Sequence, residues 1–145
     1  MQLNALSGIE VLQRVMDGRI PPPTMAATMQ MTLVHVEKGV AVFQARAGDR
    51  HLNPMGGVHG GFAATVLDSA TGCAVHSMLG PGDSYGTVDL NVKMLKPVPV
   101  DVVLQAEARV IHCSRRLGVA DALLKDEQGC VYAHGTASCL ISRKA

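Results

Sequence analysis

Tryptophan is absent from this 145-residue chain, and two phenylalanines and two tyrosines bring the aromatic share to only 3%. So few flat rings cannot build a stacking platform for single-stranded nucleic acid, and any ligand pocket must be lined by aliphatic, methionine and backbone atoms. Charge of one sign is lacking as well: 13 basic residues face 12 acidic ones for a net charge of +1, with no long run of like charge. That excludes the electrostatic footprint of a nucleic-acid or anionic-membrane surface, while leaving room for a small local cluster that holds a phosphorylated ligand. No uninterrupted apolar run is long enough for a membrane span, because the longest, around residues 60–79, is broken by Asp68, His76 and several Ser and Thr. The sequence does not open on a basic segment followed by an apolar leader, so a soluble, unsecreted, cytoplasmic protein is expected. The four cysteines (Cys73, Cys113, Cys130, Cys139) form no C-x-x-C, and the six histidines form no H-x-H or H-E-x-x-H. Reduced thiols, no metal site and no cofactor are the expectation.

With 48% apolar residues the chain can bury one sizeable core, and 145 residues are too few for a second domain of ordinary size, so residues 1–145 read as one domain. Ser7-Gly8-Ile9-Glu10 fits a capping box, and Ile9, Leu12, Val15 and Met16 share one side of a short helix over about residues 6–17 that ends near Asp17-Gly18. Pro21-Pro22-Pro23 forbids helix and reads as a stiff connector. Two strand-like segments follow, Met31 to Glu37 and Val40 to Ala47, with Lys38-Gly39 as the tight turn between them. A loop rich in turn formers runs from Gly48 to His59 and leads into a helix-like stretch from Gly60 to about Leu79.

Beyond Gly80-Pro81-Gly82 the period becomes two: Val88, Leu90, Val92 and Met94 alternate with polar residues, and Val102 through Val110 repeat the pattern. Leu117 to Lys125 and Cys130 to Ile141 complete the strands, with Asp126 to Gly129 as their turn. A parallel sheet would need helices between successive strands. An α+β architecture, an antiparallel sheet wrapped around one long central helix, satisfies this order better.

The chemistry concentrates in Asn53-Pro54-Met55-Gly56-Gly57-Val58-His59-Gly60-Gly61 and the helix that follows. Paired glycines are poor helix formers, so at a helix start they suggest that something approaches the backbone closely. The first amides of a helix have no internal partner and sit at the positive end of its dipole, where they can serve as an oxyanion hole worth roughly 3 kcal/mol per donor. The bland alternative is that Gly60 and Gly61 only permit a tight loop-to-helix junction. Asp68 shifts that balance. Ala64, Val66, Leu67, Ala70, Gly72 and Cys73 surround it, and a helix apolar nearly all round should be buried. A carboxylate there is costly unless it is paired or has a task, and the nearest cations in sequence, Arg50 and Lys93, are far away. A base or nucleophile in a dry pocket is the functional reading, and an Asp satisfied by Thr65, Thr71 or a distant Arg is the structural one.

The N-P-x-G-x-V-H-G-G run, with an acidic residue eight positions after the first glycine of the closing pair, resembles the PaaI-type thioesterases of the hotdog superfamily. Thr87-Val88-Asp89-Leu90-Asn91-Val92 with Leu95-Lys96-Pro97, then Arg115-Arg116-Leu117-Gly118-Val119-Ala120, then Tyr132-Ala133-His134-Gly135-Thr136 extend the likeness over roughly residues 30–142. The resemblance implies a hotdog fold and hydrolysis of an acyl- or aryl-acyl-coenzyme A to free acid and coenzyme A. It implies that Gly60 donates its backbone amide to the thioester oxygen, with Gly61 beside it where substrate approaches. Asp68 would activate water or attack the carbonyl. Asn53 would position the water or the thioester, or form an ordinary Asn-Pro turn. His59 would help polarise the carbonyl region, or only order the loop. Thr87 falls where relatives carry a hydroxyl near the water, or is a plain strand residue. Arg115 and Arg116 are candidates for the phosphates of coenzyme A, since an arginine fork suits phosphate, or are simply solvated. Lys93 and Lys96 are weaker candidates of the same kind. Nothing is assigned to Cys73.

One step needs no family. If a helix starts at Gly60, Asp68 lies about 12 Å further along its axis at 1.5 Å per residue. Side chains lean back toward the N-terminus by only a few ångströms. One chain's Gly60 amide and Asp68 carboxylate therefore cannot both touch a single carbonyl. If both act, two chains must pair with their helices antiparallel, and the resemblance agrees in implying homodimers and often homotetramers. Two other readings stand beside hydrolysis: a hotdog hydratase or dehydratase, whose sites pair a catalytic His with the helix carboxylate in a different loop pattern, and a non-catalytic acyl-thioester-binding module.

Overall fold

The computed structural model describes residues 2–145. Ser7 caps the first helix, α1 (Gly8–Met16): its hydroxyl accepts from the Glu10 amide at 3.4 Å, and the Glu10 carboxylate accepts from the Ser7 amide at 2.8 Å. This is the expected capping box, and Gly18, at φ +76°, turns the chain away just beyond the helix. After the prolines comes a short helix that the sequence did not reveal, α2 (Thr24–Thr28). Five residues are too few to show a helical period, and Pro23 at its N-cap position offers no capping side chain.

Strands β1 (Met31–Glu37) and β2 (Val40–Ala45) form the expected hairpin, with Gly39 at φ +83° in the turn. β2 is two residues shorter than the sequence suggested. Arg46 and Ala47 leave the ladder, their backbone bonding instead to the Gln30 carbonyl and the Asp101 amide. The remaining strands are β3 (Ser84–Met94), β4 (Leu104–Cys113), β5 (Leu117–Asp126) and β6 (Val131–Ser142). All pairings are antiparallel and the order is β1-β2-β4-β5-β6-β3. β1 and β3 are the edges.

The sheet wraps the long helix α3 (Gly60–His76), giving the α+β hotdog architecture. Val66, Leu67, Ala70, Ala74 and Val75 of α3 are fully buried against a sheet face built largely of alanine: Ala106, Ala108, Ala120 and Ala133. Small residues let the helix sit deep in the curve. At Gly118 a Cβ would come 2.6 Å from a Val75 methyl, so no larger side chain fits there without a shift. Truncating a core residue such as Leu67 to Ala would cost about 2–5 kcal/mol. α3 stops three residues short of the expected Leu79, because the Ser77 hydroxyl donates to the Ala74 carbonyl at 2.6 Å while accepting from the Gly39 amide at 2.8 Å. That diverts the helix end onto the β1–β2 turn.

The phase of β3 is broken. Its ladder with β6 steps from Thr87↔Cys139 to Asp89↔Ser138, leaving Val88 as a bulge that is 64% exposed. Before the bulge Tyr85 and Thr87 face α3, and after it Val92 packs against the core. A uniform alternation in sequence conceals this switch. Among the described residues no helix is long and apolar enough to cross a membrane.

Candidate active site

The loop between β2 and α3 is held by two side chains. His51 is buried, its Nδ1 accepting from the Gly48 amide at 3.0 Å and its Nε2 donating to the Thr28 carbonyl at 2.8 Å. Its own carbonyl accepts from the His59 amide at 2.7 Å, so it ties the loop to α2. Asn53 closes the next turn: its side-chain oxygen accepts from the Met55 amide at 3.0 Å and the Gly57 amide at 3.2 Å. His59 is the N-cap of α3, with Nδ1 accepting from the Gly61 amide at 2.8 Å, and the Phe62 amide donates to the His59 carbonyl at 2.9 Å.

These bonds sort the amides at the start of α3. Gly61, expected at the substrate, has its N–H occupied by His59. The Gly60 N–H has no hydrogen-bond partner within the described chain, and it lines a hollow of about 320 Å³ together with Val58, Met94 and Lys96. A Cβ at Gly60 would come 2.7 Å from the Met94 sulfur, so glycine keeps both the hollow and its amide open.

Asp68 lies elsewhere. Thr87 donates its hydroxyl to Asp68 Oδ1 at 2.9 Å, joining edge strand β3 to the middle of α3. The carboxylate is half-buried at a cavity of about 760 Å³. One wall of that cavity comes from α1 and α2 with Leu12, Val15 and Ala26; another comes from α3 with Gly72, Cys73 and His76, faced by Tyr85. The helix is therefore not buried all round, as its composition suggested. The stripe Asp68, Ser69, Cys73 and His76 faces the cavity, while the other side faces the sheet. The linings of the Asp68 cavity and the Gly60 hollow share no residue.

Burial, and secondarily the Asp68 charge, push the Cys73 thiol up to about 12, so it is no nucleophile near neutral pH. Burial also holds His76 below the usual imidazole range and pushes Tyr85 above the usual phenol range. The sequence reading left Tyr85 and Ser69 out. The signal was present in the spacing, since Gly72 and His76 follow Asp68 at intervals of four and eight, Ser69 precedes Gly72 and His76 by three and seven, and Tyr85 precedes Thr87 by one pleat.

Arg115 and Arg116 occupy the turn between β4 and β5 and line a third cleft of about 700 Å³ with Gly86, Leu140 and Arg143. Both arginines are exposed and form no salt bridge among the described residues, whereas Arg143 is spent on structure. It donates to Asp83 at 2.9 Å and to the Arg115 and Ser114 carbonyls at 3.0 Å each. Lys96 contacts Cys130 Sγ at 3.4 Å. Thr87, which touches Asp68, and the bulged Val88 beside it on the edge strand are both exposed.

Residues 55–133 match the family model of the thioesterase superfamily. The chain is 43% identical over 68 residues, 46% of its length, to a candidate esterase of Halobacterium salinarum, of which the match covers 44%. It spans about half the length of the curated relatives it matches. Among solved structures, it superposes with a TM-score of 0.82 and 30% identity on a candidate thioesterase of Ralstonia eutropha, a phenylacetic acid degradation-related protein, covering 89% of this chain and 98% of that one. The PaaI protein of the Escherichia coli phenylacetic acid degradation operon shares the fold at a TM-score of 0.81 with 20% identity, over 96% of this chain and 97% of its own. By its matched model, its hotdog architecture and its 30% identical structural relative, the chain belongs to the thioesterase superfamily, in the PaaI-type group.

Proposed function

We propose that the protein hydrolyses acyl- or aryl-acyl-coenzyme A thioesters at a site completed by a second copy of the chain. The observation that carries this reading is the separation of two half-sites. A carboxylate held by Thr87 borders an acyl-sized apolar cavity, and a free helix-start amide at Gly60 borders a different hollow. Each lacks what the other has. β3 supplies the means of joining them: it is an edge strand beside Asp68, and Val88 and Met94 on it are exposed apolar residues. Two chains pairing there about a two-fold axis bring each Gly60 toward the partner's Asp68.

In the shared site, the thioester carbonyl oxygen accepts from the Gly60 N–H of one chain, while the acyl group enters the cavity beside Asp68 of the other. Asp68 takes a proton from a water as that water adds to the carbonyl carbon, and the developing negative charge on the oxygen is met by the Gly60 amide. The tetrahedral species then collapses, the C–S bond breaks, and the coenzyme thiolate leaves and is protonated. Asn53 and His59 serve by holding the loop that aims Gly60. Arg115 and Arg116, exposed at a cleft and without a salt bridge among the described residues, are suited to coenzyme A phosphates. The four free cysteines fit a reducing, cytoplasmic setting.

Thiol release from a panel of short, medium, branched and aromatic acyl-coenzyme A esters tests this reading, with wild type compared to Asp68→Ala. Turnover by wild type and its loss in the variant is the expected result. Binding without turnover would instead identify a thioester-binding module, and chemistry that leaves the thioester intact would identify a hydratase.

A further inference from the structure

We infer that His51 is a positioning residue for the reaction: by joining the end of α2 to the start of α3, it sets the direction in which the Gly60 N–H points. The inference rests on the thioesterase reading in one respect, that this N–H receives the thioester oxygen.

The direction of that N–H belongs to one rigid peptide unit, which carries the His59 carbonyl at one end and the Gly60 N–H at the other. Its neighbours therefore aim it, and they lead back to a single residue. On the near side, the His59 amide donates to the His51 carbonyl at 2.7 Å. On the far side, the His59 carbonyl accepts from the Phe62 amide at 2.9 Å, and the Phe62 ring meets the His51 ring with centroids 4.9 Å apart. Backbone and side chain of His51 thus hold the same peptide unit from both ends.

His51 is in turn fixed to another element. α2 has five residues and cannot satisfy its last carbonyls from within. The Thr28 carbonyl at its end accepts from His51 Nε2 at 2.8 Å, while Nδ1 accepts from the Gly48 amide at 3.0 Å. A carbonyl only accepts and an amide N–H only donates, so the two partners fix the ring tautomer with its proton on Nε2. The ring is 7% exposed, and losing either bond there leaves a polar group without ready access to water. α2 is anchored in the core by Ala26, so the loop is referred to a fixed body.

This role differs from those of Asn53 and His59. Their side-chain bonds run between residues 53 and 61, which shapes the loop without orienting it against the rest of the fold. The His51–Thr28 bond reaches outside it. An oxyanion donor is worth about 10² to 10³ in turnover when it is aimed at the developing charge, and a misplacement of about 1 Å can cost about a hundredfold. Loss of the anchor would leave the N–H present and misdirected.

Two polar substitutions separate the two ring bonds. His51→Gln can place its amide nitrogen near the position of Nε2 and keep the bond to Thr28. His51→Asn can place its side-chain oxygen near the position of Nδ1, keeping the Gly48 bond and losing the one to α2. His51→Gln is expected to stay within about threefold of wild-type kcat, and His51→Asn to lose about tenfold or more with KM within about twofold, the split of an interaction made in the transition state.

A second readout needs no turnover. Calorimetry compares a ketone analogue, in which a methylene separates the carbonyl from the coenzyme A sulfur, with the plain S-alkyl-coenzyme A that lacks the carbonyl oxygen. Wild type and His51→Gln should favour the ketone by about fivefold, the worth of one net hydrogen bond, and His51→Asn should not. Because the readout is a ratio within one protein, a partial loss of folded protein cancels. No ketone preference in wild type, its survival in His51→Asn or its loss in His51→Gln overturns the inference, and the Gln arm alone decides if the Asn variant does not fold. A ketone preference lost in His51→Asn, with no ester hydrolysed by wild type, would sink the thioesterase reading and leave this one standing.

Discussion

The hydroxyl of Thr87 donates to Asp68 Oδ1 at 2.9 Å, so the carboxylate in the middle of α3 is aimed by the edge strand and not by its own helix. Val88, the bulged residue next to Thr87, allows this. Without the phase switch, Tyr85 and Thr87 would share a face with the wrong half of β3. Asp68→Asn should therefore lower kcat by roughly a hundredfold or more while the melting temperature holds, in line with general-base contributions of about 10² to 10⁴. Thr87→Val, which keeps the shape and removes the donor, should lower kcat by about tenfold, as expected for a lost hydrogen bond to a charged group, and Thr87→Ser should restore most of it. Steady-state kinetics on the three variants checks both, and near-normal turnover by Asp68→Asn would make that carboxylate structural.

His59 tests whether the loop histidine is chemical or architectural. Its Nδ1 caps α3 through the Gly61 amide, so His59→Ala should cost about 1 kcal/mol of stability, the usual loss for a removed N-cap. His59→Ser supplies another capping oxygen and should recover that stability together with most of the activity. Thermal melts and kinetics on both variants decide it. A serine that restores stability and leaves turnover low would assign His59 a direct part in the reaction.

Asp83 links acid stability to the far end of the sheet. Its carboxyl is held below the usual carboxylate range by the Lys144 amide, then by the Arg143 side chain and the Gly80 amide. A depressed folded-state pKa stabilises the fold above the unfolded-state value and loses that contribution as pH falls through the folded one. Asp83→Asn should accordingly melt below wild type at neutral pH, with the gap closing as pH falls through the acid range. A gap that is independent of pH would refute the ionic origin.

Arg115→Ala and Arg116→Ala should mainly raise KM for coenzyme A esters and do little to a truncated thioester without the nucleotide phosphates. Equal effects on both substrates would mean that the arginines serve folding or assembly. Arg143→Ala should behave differently, lowering the melting temperature, because its guanidinium carries the Ser114 and Arg115 carbonyls.

The fold was legible where a local signal and the tertiary environment agree. The capping box at Ser7, the turn glycines Gly18 and Gly39 and the start of α3 at Gly60 are local features, and each stands where its chemistry placed it. α2 escaped because five residues carry no period, and the Val88 bulge escaped because alternation in sequence continues through it while the ladder does not. At the site, the spacing of Gly60 and Asp68 was readable as helix geometry. The occupation of the Gly61 amide by His59 was not, nor was the apposition of Tyr85 to Gly72, because both depend on side-chain directions that sequence distance does not encode.

The shared site is the centre of the account, and mixing two inactive variants tests it. Asn53→Ala unties the turn that leads to Gly60, and Asp68→Ala removes the carboxylate, so either homodimer should be severely impaired. After the two are unfolded, mixed equally and refolded, about half the dimers are mixed, and in each of those one site carries both lesions while the other carries neither. Activity should return to about a quarter of wild type by the same two-fold counting. A mixture that stays inactive, with mixed dimers confirmed by mass and Asn53→Ala confirmed as impaired alone, would contradict a site built from two chains.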